Sequence, residues 1–292
     1  MRFILGLLAL SGLSNAATAQ QAMPWPPAWV GPAEPMHIVG PVYFVGTRGL
    51  AAYLITTPAG HILLDGGMPQ NAGDFEASIR RLGFKPEDIK LLLITHAHVD
   101  HAGTTAHFKK LSGAKVAVMD RDFEHLKSGG RTDPVYGKAP PFYFPEVTAE
   151  RVLTDGESVS LGNIKMTARL GAGHAQGATS WITSVQDGRR SYRVVFPCCT
   201  GVNPSFGPVQ GHRLVVNPSY PGIADDYRRT FEMLAALKPD IWLAAHTEAF
   251  DFEGKRARAA TEGVRAWVDP GGYRRWLTKE KATFDALVAK EK

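Results

Sequence analysis

The stretch LLLITHAHVDHAG, residues 91–103, joins an apolar run to a cluster of potential metal ligands. The apolar residues 91–94 are typical of a buried strand. Histidines follow at positions 96, 98 and 101, and an aspartate stands at position 100. Such polar groups behind a buried strand are costly unless a metal or a hydrogen-bond network satisfies them. The stretch therefore predicts a strand whose carboxyl end carries a metal site.

The spacing H-x-H-x-D-H indicates which of these side chains share an ion. Positions two apart point away from each other on a helix, but they lie on one side of an extended segment. His96 and His98 can therefore chelate one ion, and zinc is the usual occupant of a nitrogen-rich site. Asp100 and His101 come after one more backbone turn and would face a neighbouring position, which suggests a second ion.

A zinc site needs more than two histidines, so further ligands are expected at other strand ends. His174, in LGAGHAQGATSW (170–181), follows a strand pattern beside glycines that let the backbone approach an ion. His246, in DIWLAAHTE (240–248), ends another apolar strand. The predicted ligand sets are His96, His98 and His174 for one zinc ion, and Asp100, His101 and His246 for the other. The other histidines lack partners in sequence and are interpreted as surface or core residues: His37, His61, His107, His125 and His212.

The rest of the chain predicts an α/β fold. Its 292 residues, 44% of them apolar, suit one large globular domain or two small ones. Strand and helix patterns alternate in the first half, and the same order returns in the second half, which predicts two β/α halves packed as one sandwich. Residues 128–146 lose periodicity and are rich in Gly, Pro and aromatics, so we expect a long loop that forms a wall over a site.

The N-terminus, MRFILGLLALSGLSNAATAQ, predicts a secretory signal peptide over residues 1–19, cleaved after Ala19. Residues 20–36 are predicted as an extended arm rich in Pro and Trp, and residues 37–292 as one domain. We expect a periplasmic protein without a membrane span; a retained N-terminal anchor is the alternative.

Charge and cysteine content limit the partners and the cross-links. The net charge is +5, but the Lys and Arg residues are scattered along the sequence and no basic run is interleaved with aromatics. Nucleic acid is therefore not an expected partner. Cys198 and Cys199 are adjacent, and their Cα atoms should lie about 3.8 Å apart, below the usual disulfide range that begins near about 4.4 Å. We therefore expect no disulfide. The oligomeric state does not follow from the sequence, although a monomer is favoured.

THAHVDHAG closely resembles the H-x-H-x-D-H motif of the metallo-β-lactamase superfamily, and the resemblance extends over nearly the whole mature chain. LDGGMPQNA, GAGHAQGATSW, YPGIADDYRRTF and the late His246 are similar, more narrowly, to subclass B3 metallo-β-lactamases. The resemblance implies a periplasmic dizinc enzyme with the αβ/βα four-layer sandwich of that family, and it divides the six ligands into the same two sets. Gln176 and Thr247 depart from it, since the family commonly has proline there, and Cys198-Cys199 stands where subclass B3 members often carry Asp-Ser.

The superfamily also contains lactonases, glyoxalase-type thioesterases and nucleases, so the motif indicates metal-dependent hydrolysis without naming the substrate. Its lactonase-like and thioesterase-like members use an extra aspartate, after the third histidine, to bridge the metals. The strand end that should carry this residue reads VVFPCCTG (194–201) and has no carboxylate. This absence favours β-lactam antibiotics, carbapenems included, as small-molecule substrates. A lactone or thioester hydrolase and an exported zinc-binding protein without activity are the alternatives.

The expected mechanism is an attack on the lactam carbonyl by a metal-bound hydroxide, because zinc lowers the pKa of bound water toward about 7. Asp100 would orient this nucleophile. Asp65, after the strand HILL, would accept a hydrogen bond from a ligating histidine, or it is a turn aspartate. Thr200 or Asn203 would bind the substrate carboxylate. Cys199 is either a zinc-binding thiolate or, as we favour, a buried protonated thiol. The aromatics expected to form apolar walls, unless they are plain packing, are Tyr136, Phe142, Tyr143 and Phe144, with Trp25 or Trp29.

Overall fold

The structure is a computed structural model and describes residues 23, 25–203 and 205–291. The predicted signal peptide lies outside these residues. Within the described part of the chain, none of the helices combines the length and the apolar character that a membrane span requires.

Two β-sheets form the centre of the fold. The first has seven strands in chain order: β1 (Met36–Val39), β2 (Val42–Phe44), β3 (Tyr53–Thr57), β4 (Gly60–Leu64), β5 (Ile89–Leu93), β6 (Lys115–Met119) and β7 (Arg151–Leu153). The second has five strands in the order β12-β11-β10-β9-β8: β8 (Ser158–Leu161), β9 (Ile164–Leu170), β10 (Thr179–Asp187), β11 (Arg190–Phe196) and β12 (Ile241–Trp242). Strands β1 to β4 pair antiparallel and β4 to β7 pair parallel, whereas in the second sheet only β11 and β12 are parallel.

The helices cover the outer faces of both sheets. They are α1 (Pro27–Val30), α2 (Ala72–Arg81), α3 (Val99–Ala102), α4 (Thr105–Ser112), α5 (Phe123–Lys127), α6 (Ile223–Ala236), α7 (Phe252–Glu262) and α8 (Pro270–Lys290). Phe75 of α2 and Phe108 of α4 share one buried cluster with Leu92 of β5. Leu234 of α6 packs with Val195 of β11. Helices α2, α4 and α6 therefore bury an apolar face against a sheet, as amphipathic spacing predicts.

The main core lies between the two sheets. In β9 the buried positions alternate, so that Ile164, Met166 and Ala168 face the same way. Met166 joins Ile55 of β3 and the fully buried Trp181 of β10 in one cluster that both sheets supply. The layers run helix, sheet, sheet, helix, which confirms the predicted αβ/βα four-layer sandwich.

The segment predicted as an extended arm, residues 20–36, is partly helical where the structure describes it. Pro27 opens α1, a position that suits proline because its missing N–H has no partner in the first turn of a helix. The chain then forms a bridge from Pro32 to Thr47, and β1 begins at Met36. The aromatic residues of this segment are thereby fixed on the domain surface. Two described residues of the arm, Trp25 and Trp29, thus belong to the wall around the site described next.

Candidate metal centre

The segments that carry the predicted ligands all leave the carboxyl ends of strands. Strand β5 ends at Leu93, and the following residues lead into the short helix α3, which carries Asp100 and His101. His174 follows β9, and His246 follows β12. All of these segments line one cavity of about 950 Å³. The structure therefore brings together residues that are up to 150 positions apart in the sequence.

The first predicted set converges on one point. One ligand atom from each of His96, His98 and His174 lies within 4.8 Å of the others. The His96 ring centroid is 4.4 Å from that of His98 and 4.9 Å from that of His174. Rings this close, and turned nearly perpendicular to each other, direct their nitrogen atoms into a common space rather than stacking their faces.

Hydrogen bonds fix which nitrogen of each ring is free. Nε2 of His98 donates to Asp133 Oδ2 at 3.2 Å, and Nδ1 of His174 donates to the carbonyl of Gly201 at 2.8 Å. Nδ1 of His96 lies 3.2 Å from the hydroxyl oxygen of Thr95, while its Nε2 is buried without a hydrogen-bond partner. Each ring thus keeps one nitrogen lone pair for an ion, which is how ligating histidines are usually held.

The second predicted set is centred on Asp100. Its Oδ2 lies 3.1 Å from His101 Nε2 and 3.5 Å from His246 Nε2. Both ring nitrogens of His101 are buried without a hydrogen bond of good geometry. The tight cluster of ligand atoms here comprises His96, Asp100 and His101. The side chain of His246, 29% exposed, lies outside this cluster, with its ring 5.1 Å from that of His101. Imidazole nitrogens with one carboxylate oxygen are a donor set that suits zinc.

Burial and charge favour the metal-binding protonation state of His96, His174 and Asp100. At His101, burial would lower the pKa, but the Asp100 carboxylate raises it to about 10. Burial and the neighbouring imidazoles hold the pKa of His96 well below its usual value, and burial lowers the pKa of His174 to about 3. Both rings are therefore neutral at neutral pH, the form that ligates metals. Burial would raise the pKa of Asp100, but His101 and His246 hold it well below the usual range, so its carboxylate is ionised.

Asp65 lies behind the ligands and contacts both sets. Its Oδ1 accepts the backbone N–H of Thr95 at 2.6 Å, and its Oδ2 accepts the Thr95 hydroxyl at 2.9 Å. With its proton donated to Asp65, the Thr95 oxygen can accept from His96 Nδ1. The Asp65 Oδ2 atom also lies 3.3 Å from His101 Nδ1. Asp65 thus lies where a partner of a ligating histidine is expected. It also takes a positive φ of 61° at the end of its strand, which supports the alternative interpretation as a turn aspartate.

Two aspartates that support the ligands were not predicted from the sequence. Asp122 accepts the backbone N–H groups of Ala97 and Gly177, both at 2.8 Å, and so joins the loop of the first two histidines to the loop of the third. Asp133 accepts from His98; burial would raise its pKa, but His98 holds it at about 2. Neither residue stands in a motif, and the Asp-Pro step at 133–134 predicts only a turn.

Asp133→Asn should weaken zinc binding about 10- to 100-fold, the usual effect of losing a partner of a ligating histidine. The Oδ1 atom of Asp133 accepts the backbone N–H groups of Val135 and Tyr136 at 2.8 and 2.6 Å, so the amide oxygen of Asn should take that place. Its NH₂ group would then face the N–H of His98, donor against donor. Competition with a chromophoric chelator measures the zinc affinity. Asp285→Asn, an exposed residue that pairs with Lys281, is the control, and equal affinities would contradict the assigned role.

Cys198 and Cys199 form a disulfide, so the expectation of no bridge is wrong. Cys199 has a positive φ of 52°, which turns its side chain toward that of its neighbour, an orientation that Cα spacing alone does not reveal. The two sulfurs lie 3.6 and 3.2 Å from His96 Nδ1. A bonded sulfur is neither a thiolate nor a thiol, so both expectations for Cys199 are corrected as well.

Aromatic side chains form one wall of the cavity, beside the histidines. The Trp29 ring lies 5.3 Å from the His246 ring, and the Tyr136 ring lies 5.0 Å from the His98 ring. The aromatics that line this wall are Trp25, Trp29, Tyr136, Phe142 and Phe206. Of the residues predicted for the wall, Tyr143 and Phe144 are not among those that line the cavity, and Phe206 was not predicted.

The two residues predicted to bind a substrate carboxylate, Thr200 and Asn203, also line the cavity. The Thr200 hydroxyl, however, donates its proton to Glu280 Oε2 at 3.2 Å. Its donor is therefore already used, which leaves Asn203 as the better candidate of the two. Glu280, on α8, was not singled out by the sequence analysis, because it lies 80 positions from Thr200 in a charged helix.

Residues 45–246 match the family described as the metallo-beta-lactamase superfamily. The structure is similar to that of the FEZ-1 metallo-beta-lactamase of Legionella gormanii, with a TM-score of 0.85, 38% sequence identity, and coverage of 89% of this chain and 97% of that one. It is also similar to the class B3 di-zinc metallo-beta-lactamase LRA-12 from an Alaskan soil metagenome, with a TM-score of 0.81, 32% identity, and coverage of 96% and 100%.

Among curated proteins, an N-acyl homoserine lactonase of Bacillus cereus is 30% identical over 95 residues, which are 25% of this chain and 37% of the lactonase. The chain spans less than two fifths of the length of the curated relatives that it matches. These short matches therefore say much less about the whole protein than the solved structures do.

Proposed function

The chain belongs to the metallo-beta-lactamase superfamily and, within it, to subclass B3, and on that premise we propose that it hydrolyses the amide bond of β-lactam antibiotics at a site for two zinc ions. Carbapenems are among the proposed substrates. The observation that carries the proposal is the convergence of buried imidazole nitrogens and one carboxylate in a substrate-sized cavity.

The residues present fit zinc. His96, His98 and His174 would hold one ion, and Asp100, His101 and His246 the other. The orphaned Nε2 of His96 and the unsatisfied ring of His101 support this, because buried nitrogens without partners are rare in folded proteins unless a ligand satisfies them. Zinc in such a site supplies a Lewis acid for the carbonyl and a water nucleophile that ionises near neutral pH.

The chain's own residues would hold and orient the reactants. Asp100 would accept a hydrogen bond from the attacking water and so direct it at the lactam carbonyl. The Asn203 side-chain amide would bind the substrate carboxylate that every classical β-lactam carries. The aromatic wall from Trp25 to Phe206 would exclude water from one side of the cavity and contact apolar substituents.

Lactone hydrolysis is the second candidate, because the match to a lactonase favours it. Within the described residues, however, the clusters of potential ligands contain no carboxylate from the end of β11; the sulfurs of Cys198 and Cys199 lie there instead. The bridging aspartate that the resemblance implies for lactonase-like members is thus missing from its place. This difference favours β-lactams over lactones.

We further propose that residues 1–19 are a cleaved signal peptide, that residues 37–292 are the catalytic domain, and that the enzyme acts in the periplasm. The support is the pattern of a basic start, an apolar stretch and Ala17-Thr18-Ala19. An enzyme placed there would meet β-lactams before they reach their targets and would protect the cell from them.

The proposed function is tested by comparing turnover of a carbapenem, an acyl-homoserine lactone and a glutathione thioester by the purified zinc-loaded protein. We expect carbapenem turnover to exceed the other two by far, to disappear on chelation, and to return when zinc is added back. Lactone turnover far above carbapenem turnover would establish the second candidate instead. A protein that turned over none of the three, and whose chelation lowered only its melting temperature, would be a zinc-binding protein without this activity.

A further inference from the structure

Glu280 places a carboxylate in the wall of the cavity that holds the candidate metal centre. This residue lies on α8 and lines the same cavity as His96, His98 and His174. Its Oε2 accepts the hydroxyl of Thr200, which is only 3% exposed and so holds the carboxylate from a fixed, buried position.

The contact partner of Glu280 stands directly beside the ligand shell. The residue after Thr200 is Gly201, whose carbonyl accepts from His174 Nδ1 at 2.8 Å and from the Tyr227 hydroxyl at 2.9 Å. One peptide unit therefore separates the partner of Glu280 from the partner of His174, which places Glu280 on the side of the cavity next to the candidate ligand His174.

Two other carboxylates of the cavity have cationic partners, since Asp269 lies 3.2 Å from Lys255 Nζ and Asp251 lies 3.7 Å from Arg258. In the parts of the chain that the structure describes, none of the ion pairs includes Glu280. Its charge is therefore not offset by an ion pair, although Arg265, Arg275 and Lys279 line the same cavity. The Thr200 hydroxyl donates its proton to Glu280 and carries no charge.

We propose that Glu280 determines specificity among β-lactams, favouring substrates whose side chain carries an ammonium group and disfavouring those that carry a second carboxylate there. This inference rests on the proposed function. The carboxylate common to all substrates does not decide between them, because it interacts with Glu280 in every case. The side-chain charge does differ, and it interacts with Glu280 when the two lie within a Debye length, which is about 10 Å at 0.1 M salt.

The test uses benzylpenicillin, its α-amino derivative and its α-carboxy derivative, which share one ring system and differ in side-chain charge. For the wild type we expect kcat/KM to be highest for the amino compound and lowest for the carboxy compound. In E280Q, whose amide oxygen can still accept from Thr200, the ratio of amino to carboxy kcat/KM should fall about tenfold, the size of a partly screened charge contact. Charge reversal in E280K should invert the order.

Matched controls separate a local charge effect from a general one. E262Q removes a carboxylate from α7 on the same cavity without touching Thr200, so it should leave the ratio unchanged. Raising the salt to about 1 M, where the Debye length is about 3 Å, should compress the wild-type preference. Melting temperatures of the variants should stay within a few degrees of the wild type, because Glu280 is only half-buried.

If the zinc-loaded protein does not hydrolyse these three compounds, their calorimetric Kd values keep the inference independent of turnover. An order of Kd values that E280Q abolishes would then support the role of Glu280 while the proposed function fails. If the compounds are hydrolysed, ratios of kcat/KM that are equal in wild type and E280Q would overturn that role and leave the proposed function standing.

Discussion

His96→Gln should lower kcat/KM for a β-lactam by at least about a thousandfold, because the polarisation that zinc supplies stabilises the transition state by several kcal/mol and each tenfold in rate corresponds to about 1.4 kcal/mol. His96 is the central ligand: its ring contacts those of His98, His101 and His174, and its Nε2 is the buried nitrogen without a partner. Glutamine fills most of the volume but does not present an imidazole nitrogen at that point. Steady-state kinetics and the zinc content per chain are the measurements.

His107→Gln is the matched control for this variant. His107 lies on the surface, 43% exposed, with Nε2 2.7 Å from Glu76. The same chemical change there should leave both the rate and the zinc content unaltered. Wild-type activity in the His96 variant at full zinc content would show that this histidine is not a ligand, and it would remove the basis of the first predicted set.

Asp100→Asn should lower kcat/KM by roughly a hundredfold or more, a loss typical of a group that acts on the nucleophile, and should reduce bound zinc from two ions toward one. The substitution keeps the shape of the side chain and removes the charge that His101 and His246 face at 3.1 and 3.5 Å. An amide oxygen is a weaker zinc ligand than a carboxylate, and a neutral group orients the attacking water less well. The ligand set of His96, His98 and His174 does not include Asp100, so one ion should stay bound.

The His96 and Asp100 variants are therefore expected to lose zinc from different ligand sets, and the zinc content per chain distinguishes them. Asp120→Asn is the control for the second, since Asp120 is exposed and its carboxylate accepts only the N–H of Arg121 among the contacts described here. Two tightly bound zinc ions in the Asp100 variant, with unchanged kinetics, would contradict the predicted division of the ligands.

The sequence predicted well what depends on short separations along the chain. An apolar run predicted β5, and period-two spacing predicted that His96 and His98 share a side, because local geometry alone determines both. The prediction failed where orientation mattered more than spacing: the positive φ of Cys199 brings two adjacent sulfurs together, and no pattern of residue types signals it.

The patterns of the sequence predicted the layered fold, the end of the sheet where the candidate site lies, and the residues proposed as metal ligands. The residues that surround these ligands became visible only in the folded chain. Asp133 meets His98 across 35 positions, and Glu280 meets Thr200 across 80. Contacts of this kind depend on how whole sheets and helices pack. The spacing of side chains along the chain does not encode this packing, because many different sequences can adopt the same packing. The candidate metal ligands were thus predicted from their spacing, whereas the groups that hold them, and the residue proposed to select the substrate, became visible only in the folded chain.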